Sequence, residues 1–97
     1  MSEEPSREGW RIVVHGRVQG VGFRAFTRNA ARALSLGGWV RNRPDGTVEL
    51  EVEGPAEAVQ AFRRQVRQGP RFSRVDGLDG EPLGTPRGFV DFDIRFG

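Results

Sequence analysis

The spacing of apolar positions changes several times along the chain, and each change predicts a new element. Residues 10–15 are short and β-branched and run into Gly16, which reads as a strand entering a glycine-rich turn. From Phe23 the period becomes helical: Phe23, Phe26, Ala30 and Leu34 share one face, Arg24, Arg28 and Arg32 another, and Gly37 supplies a stop. Residues 38–43 return to strand character before Pro44, Asp45 and Gly46, whose fixed φ, capping side chain and tolerance of positive φ make a hairpin turn. Its second arm alternates strictly. Val48, Leu50 and Val52 face a core, while Thr47, Glu49, Glu51 and Glu53 are expected to face water.

Gly54 and Pro55 then open a second helix with Val59, Phe62 and Val66 as its apolar stripe, and Gly69 and Pro70 end it. Residues 71–78 form a weaker strand, residues 80–88 a loop, and Val90, Phe92, Ile94 and Phe96 alternate in a closing strand. The order predicts an α+β, ferredoxin-like βαββαβ (split βαβ) fold. In it both helices cover one face of an antiparallel sheet, with a short C-terminal strand added.

Length limits what else the chain can hold. Ninety-seven residues support one core, so residues 10–97 are expected to form one domain and residues 1–9 a disordered lead-in. There is no cysteine, which rules out disulfides and thiolate chemistry and fits a reducing, cytoplasmic setting. No apolar run approaches a membrane span. All 15 basic residues are arginine, yet they are interleaved with 13 acids for a net charge of only +2. Such dispersion is a poor footprint for nucleic acid, which needs basic residues clustered on one face.

The chemistry is concentrated between the first strand and the first helix, in Gly16-Arg17-Val18-Gln19-Gly20-Val21-Gly22-Phe23-Arg24. Glycines there let consecutive N–H groups turn inward as an anion nest, and the loop feeds a helix N-terminus that favours phosphate. A cation in the first helical turn opposes the helix dipole, so Arg24 suggests an anion between them. Taken alone, the same residues are compatible with a plain connector. They also satisfy G-x-G-x-x-A, the dinucleotide fingerprint, but the chain is too short for that fold and Asn42 and Arg43 stand where a ribose-binding acid belongs. A P-loop fails because there is no lysine.

The segment 16–24 resembles the acylphosphatase signature G-x-V-Q-G-V-G-F-R, and residues 38–48, Gly-Trp-Val-Arg-Asn-Arg-Pro-Asp-Gly-Thr-Val, resemble that family's second motif. The likeness runs from about Trp10 to Gly97 and is weakest over residues 71–88. It implies hydrolysis of acyl phosphates to a carboxylate and inorganic phosphate, without cofactor or metal. Arg24 and Asn42 are implied as catalytic, with Arg17, Val18, Gln19, Gly20, Val21, Gly22, Phe23 and Arg24 binding the phosphate. A carboxylate leaves without protonation, so no general acid is required, and positioning with electrostatic stabilisation suffices. Arg24 offers a planar, permanently charged fork for two phosphate oxygens, and Asn42 can hold a water. The water's proton is implied to pass to the substrate's own phosphate.

His15, the one conventional acid–base group, is expected to be structural, and Arg28, Arg32, Arg63, Arg64 and Arg67 to be solvated helix faces. The expected partner is a small acyl phosphate, with no nucleic acid, no membrane and a monomeric state. Two other readings compete. RNA-recognition domains share the element order, but the glutamates of the third strand oppose RNA. A non-catalytic phosphate-sensing or partner-binding module would keep the loop without the hydrolysis. No acyl-group pocket is legible in the chain.

Overall fold

The computed structural model describes residues 6–96. Its elements follow in the order β1 (Arg7–Arg17), α1 (Phe23–Ala33), β2 (Gly37–Asn42), β3 (Val48–Pro55), α2 (Ala56–Gln68), β4 (Arg74–Pro82) and β5 (Phe92–Arg95). They build one five-stranded sheet in the order β4-β1-β3-β2-β5. The ferredoxin-like α+β fold expected from the pattern is the fold observed.

The sheet is mixed rather than wholly antiparallel, because β5 runs parallel to β2. The reason lies in the 83–91 loop. β4 ends beside the start of β1, with Trp10 opposite Pro82. From there the loop walks across the strand ends. Leu83 N–H donates to Gly9 O at 2.9 Å, and the N–H groups of Arg87, Gly88 and Phe89 all donate to the Glu53 carboxylate. Gly38 N–H then donates to Asp91 O at 2.9 Å. A chain that crosses at the end where β2 starts can only continue in the direction of β2.

The lead-in expectation also changes. Residues 1–5 lie outside the described residues, but Arg7, Glu8 and Gly9 belong to β1, opposite Pro55, Gly54 and Glu53. Their backbone groups find ladder partners in β3, which residues 7–9 cannot do as a free tail. Ser6 O accepts from Ala56 N–H at 2.7 Å, so the same segment satisfies a donor at the start of α2.

One sheet face carries the core. Ile12 and Val14 of β1, Val40 of β2, Val48, Leu50 and Val52 of β3 and Phe92 of β5 are fully buried against Phe23, Ala31, Val59, Phe62 and Val66 from the helix side. α1 ends one position earlier than its apolar stripe suggests. Ser35 takes a left-handed φ of 55°, Leu36 N–H donates to Ala31 O at 2.9 Å and Ser35 N–H to Arg32 O at 3.1 Å. This is a Schellman cap made with serine, and Gly37 is released to start β2.

The opposite face is not the wet glutamate row expected of β3. Glu49 is only 4% exposed and Glu53 8%. Arg11 Nε donates to Glu49 Oε2 and Arg41 Nε to Glu49 Oε1, each at 2.7 Å, so neighbouring strands cover the carboxylate from both sides. Burial pushes the Glu49 carboxyl upward, but the hydrogen bonds and charges of Arg41 and Arg11 outweigh it and hold it below the ordinary range. Trp39 lies in the same row with the Arg95 guanidinium 4.8 Å from its ring centroid. Arg32 stays on the solvent-exposed face of α1 but is not free there: its Nε donates to Phe92 O at 3.1 Å and ties α1 to β5.

Candidate active site

The far end of the sheet gathers the end of β1, the start of α1, the end of β2 and the end of β5. A bulge between His15 and Gly16 shifts the register of β1 against β4 just before the strand ends at Arg17. Gly16 has φ 128°, and a Cβ there would lie 2.0 Å from Arg74 O, so only glycine lets β4 approach this closely. Val18, 1% exposed, anchors the following loop in the core.

The rest of the loop is shaped from its two ends. Gly20 and Gly22 take left-handed φ values of 74° and 78°, and Gly22 is the N-cap of α1 without a side-chain cap. Among the described residues no hydrogen bond uses the backbone N–H of any residue from Gln19 through Ala25; the first helical bond runs from Phe26 N–H to Gly22 O. The first turn of α1 has no acid. A run of free donors at a positive dipole end therefore meets no negative charge from the helix itself.

Gln19 stands apart from its neighbours. Its Nε2 donates to Arg43 O at 2.8 Å and Thr47 O at 2.9 Å, clamping the loop to the β2–β3 turn. The turn is stiffened in turn by Asp45, which accepts from Thr47 N–H at 3.0 Å and Thr47 Oγ1 at 2.6 Å. Those Thr47 hydrogen bonds hold the Asp45 carboxyl below its ordinary range. The clamp is what brings Asn42, two strands away from β1, up to the loop.

Arg24 and Asn42 line one cleft of about 190 Å3, together with Val18, Gly20, Gly22, Phe23, Ala25, Ile94 and Phe96. Asn42 Oδ1 is buried there with no hydrogen-bond partner among the described residues. Arg24 has no carboxylate partner among the described residues; its guanidinium lies 4.9 Å from the centroid of the Phe96 ring. Arg17, at the exposed end of β1, and the side chains of Gln19 and Val21 are not part of the cleft wall.

His15 is elsewhere. Its Nε2 lies 2.6 Å from Asp79 Oδ2 on the sheet face away from the helices, and it does not line the cleft. A larger cavity of about 410 Å3 opens at the other end of the sheet beneath the 83–91 loop. Among the described residues it holds no orphaned buried acceptor, and its Glu53 carboxylate is already occupied by backbone donors from the loop. No three His, Asp or Glu side chains converge among the described residues as a metal site would need. Ala25, Ile94 and Phe96 line the cleft without having been singled out from the sequence. The alternation of the last strand showed its apolar face, but not that a parallel β5 delivers that face to the loop end.

Fold and cleft define a ferredoxin-like α+β domain with a glycine-rich strand-to-helix loop set against one arginine and one asparagine. The Acylphosphatase family model matches residues 10–94, and the chain belongs to the acylphosphatase family. An acylphosphatase of Cupriavidus necator is 52% identical over 90 residues, spanning 92% of this chain and 95% of that protein. The crystal structure of the Bacillus subtilis acylphosphatase superposes with a TM-score of 0.87 at 44% identity, covering 90% of this chain and 97% of that one. Full-length HypF, in a phosphate- and nucleotide-bound form, matches at a TM-score of 0.83 and 30% identity, over 98% of this chain but 12% of HypF. The chain is an enzyme of this family, a hydrolase of acyl phosphates.

Proposed function

We propose that the phosphoryl group of the substrate sits between Arg24 and the free loop amides of residues 19–24, and that Asn42 Oδ1 holds the attacking water. The observation that carries this reading is the orphaned Asn42 oxygen. A buried acceptor without a donor costs about 1–3 kcal/mol, and this one stands in the same cleft as Arg24. A water donating to Oδ1 satisfies it and is aimed at the phosphorus opposite the leaving carboxylate.

The step then balances simply. The water oxygen bonds to phosphorus, the bond from phosphorus to the acyl oxygen breaks, and the carboxylate departs with its electron pair. The water's protons end on the phosphate, because the Asn42 carboxamide is too weak a base to keep one. Charge on the equatorial oxygens is met by the Arg24 fork and by the free N–H groups. Within the loop, Arg17 and Val18 place the turn and Gln19 fixes it to the hairpin, while the donors come from the backbone beyond them.

The same reading extends to a cytoplasmic monomer that binds no nucleic acid. The lack of cysteine fits a reducing compartment. The edge strand β4 carries Asp76, Asp79, Glu81 and Pro82, and the other edge, β5, has only 4 residues, both of which discourage pairing with a second chain. Arg11 is paired with Glu49 and Glu81, and Arg41 with Glu49, which leaves these arginines poorly placed to hold a phosphate backbone.

Hydrolysis of benzoyl phosphate, measured beside binding of inorganic phosphate, tests the assignment. Arg24→Ala is expected to lower kcat/KM by about 10²–10³-fold and to weaken phosphate binding, and Arg24→Lys not to restore it. Asn42→Ala is expected to lower kcat to a similar degree while phosphate still binds. Full turnover in Asn42→Ala removes the water-holding role. Phosphate binding without turnover in the unaltered protein would favour a sensing module instead.

A further inference from the structure

We propose that Phe96, with Ile94 beneath it, forms the wall that receives the acyl group, so that the cleft favours aromatic and other apolar acyl phosphates over small ones such as acetyl phosphate. The proposal rests on the hydrolase reading of this cleft and adds its substrate class.

Three observations converge on the ring. Along β5 the residues of the core face emerge step by step, from Phe92 at 0% exposure through half-buried Ile94 to Phe96 at 79%. The stripe does not end in open solvent but at the mouth of the cleft, where Ile94 and Phe96 stand with Arg24 and Asn42. The other exposed large apolar residues, Phe72 and Val90, line no part of it.

The second observation is distance. The Arg24 guanidinium carbon is 4.9 Å from the Phe96 ring centroid. A phosphoryl group gripped by Arg24 has its acyl carbon only two bonds from phosphorus, so the first carbons of the acyl chain lie within van der Waals reach of that ring. The third is the chemistry of the remaining walls. Backbone amides occupy the loop side and the Asn42 carboxamide another; of the apolar lining Val18 and Phe23 are almost fully buried and Ala25 and Ile94 half-buried, so Phe96 is the one large exposed apolar surface beside the phosphate seat. An aromatic acyl group stacked there removes two apolar surfaces from water at once.

The ring is thus a specificity-determining group placed by the parallel pairing of β5 with β2. It also keeps the Arg24 guanidinium at the cleft mouth through a cation–π contact. Only the first role distinguishes one acyl group from another, and the experiment is built on that difference.

Dissociation constants for benzoylphosphonate and acetylphosphonate, which cannot be hydrolysed, are compared in the unaltered protein, Phe96→Leu and Phe96→Ala, with kcat/KM for the two matching acyl phosphates. The unaltered protein is expected to prefer the benzoyl ligand by about tenfold, a fraction of what burying an aromatic ring supplies. Phe96→Ala is expected to bring that ratio close to one, and Phe96→Leu to keep part of it. An unchanged ratio in Phe96→Ala overturns the proposal, as does a loss of equal size for both ligands, which would leave the ring as a support for Arg24 alone. If the phosphonate preference depends on Phe96 but neither acyl phosphate is turned over, the acyl wall stands and the hydrolase reading falls. The side chain is exposed, so a thermal melt of Phe96→Ala close to that of the unaltered protein confirms that folding is not what changed.

Discussion

Two single residues separate chemistry from architecture. His15 is adjacent to the loop in sequence, yet its side chain faces Asp79 on the side of the sheet away from the helices. His15→Ala should therefore keep most benzoyl phosphate turnover, and a loss matching that of Arg24→Ala would return the imidazole to the mechanism. Ser35 makes the opposite case. It has no place in the cleft but holds a left-handed φ of 55° at the end of α1, a conformation that glycine adopts without steric penalty. Ser35→Gly is expected to raise stability by about 0.5–1 kcal/mol with unchanged activity, as a higher urea midpoint at constant m would show. An unchanged or lower midpoint would mean that the serine makes a compensating contact.

Among the elements, β3 carries the strongest electrostatic commitment. Its Glu49 carboxyl is held below the ordinary carboxylate range because Arg41 and Arg11 outweigh the upward push of burial. A carboxyl lowered on folding contributes stability that is fully present above its unfolded value, roughly pH 4.3, and is lost as pH falls through the folded value. Stability of the unaltered protein should therefore drop on acidification below about pH 4 more steeply than that of Glu49→Gln. At neutral pH the variant should be about 1–3 kcal/mol less stable, from the hydrogen bonds it loses. Parallel pH profiles for the two proteins would refute the assignment.

The same strand shows where sequence reading stops. Val48, Leu50 and Val52 announced the buried face correctly, since a period of two is enough to tell one face from the other. The pattern could not say that Glu49 and Glu53 are buried as well, because their cover comes from Arg11, Arg41 and the 83–91 loop, all distant in the chain. That Arg24, Asn42, Gly20 and Gly22 meet in one cleft could be anticipated, because the left-handed loop backbone calls for glycine and the proposed phosphate chemistry for an arginine and a carboxamide. The place of Phe96 could not, since a Phe in an alternating strand looks alike whether it meets a core or a cleft.

At the scale of the whole molecule, the 83–91 loop crosses three strand ends, and β1 is hydrogen-bonded to β3 and β4 but to no neighbour in sequence. Apart from the β2–β3 hairpin, the sheet therefore assembles from partners far apart along the chain. Long loops must close before any of these pairings returns energy, so refolding is expected in roughly milliseconds to seconds, and not in the microseconds open to helical bundles of this size. Stopped-flow refolding followed by Trp10 and Trp39 fluorescence would show it, and a complete microsecond phase would contradict it. For a chain emerging from a ribosome the order of events is equally constrained. Arg24 and Asn42 are synthesised before the strand β4 that completes the bonding of β1 and the strand β5 that walls the cleft. Catalytic competence thus waits for β5, and a chain that has not yet reached it has no partly active intermediate to offer.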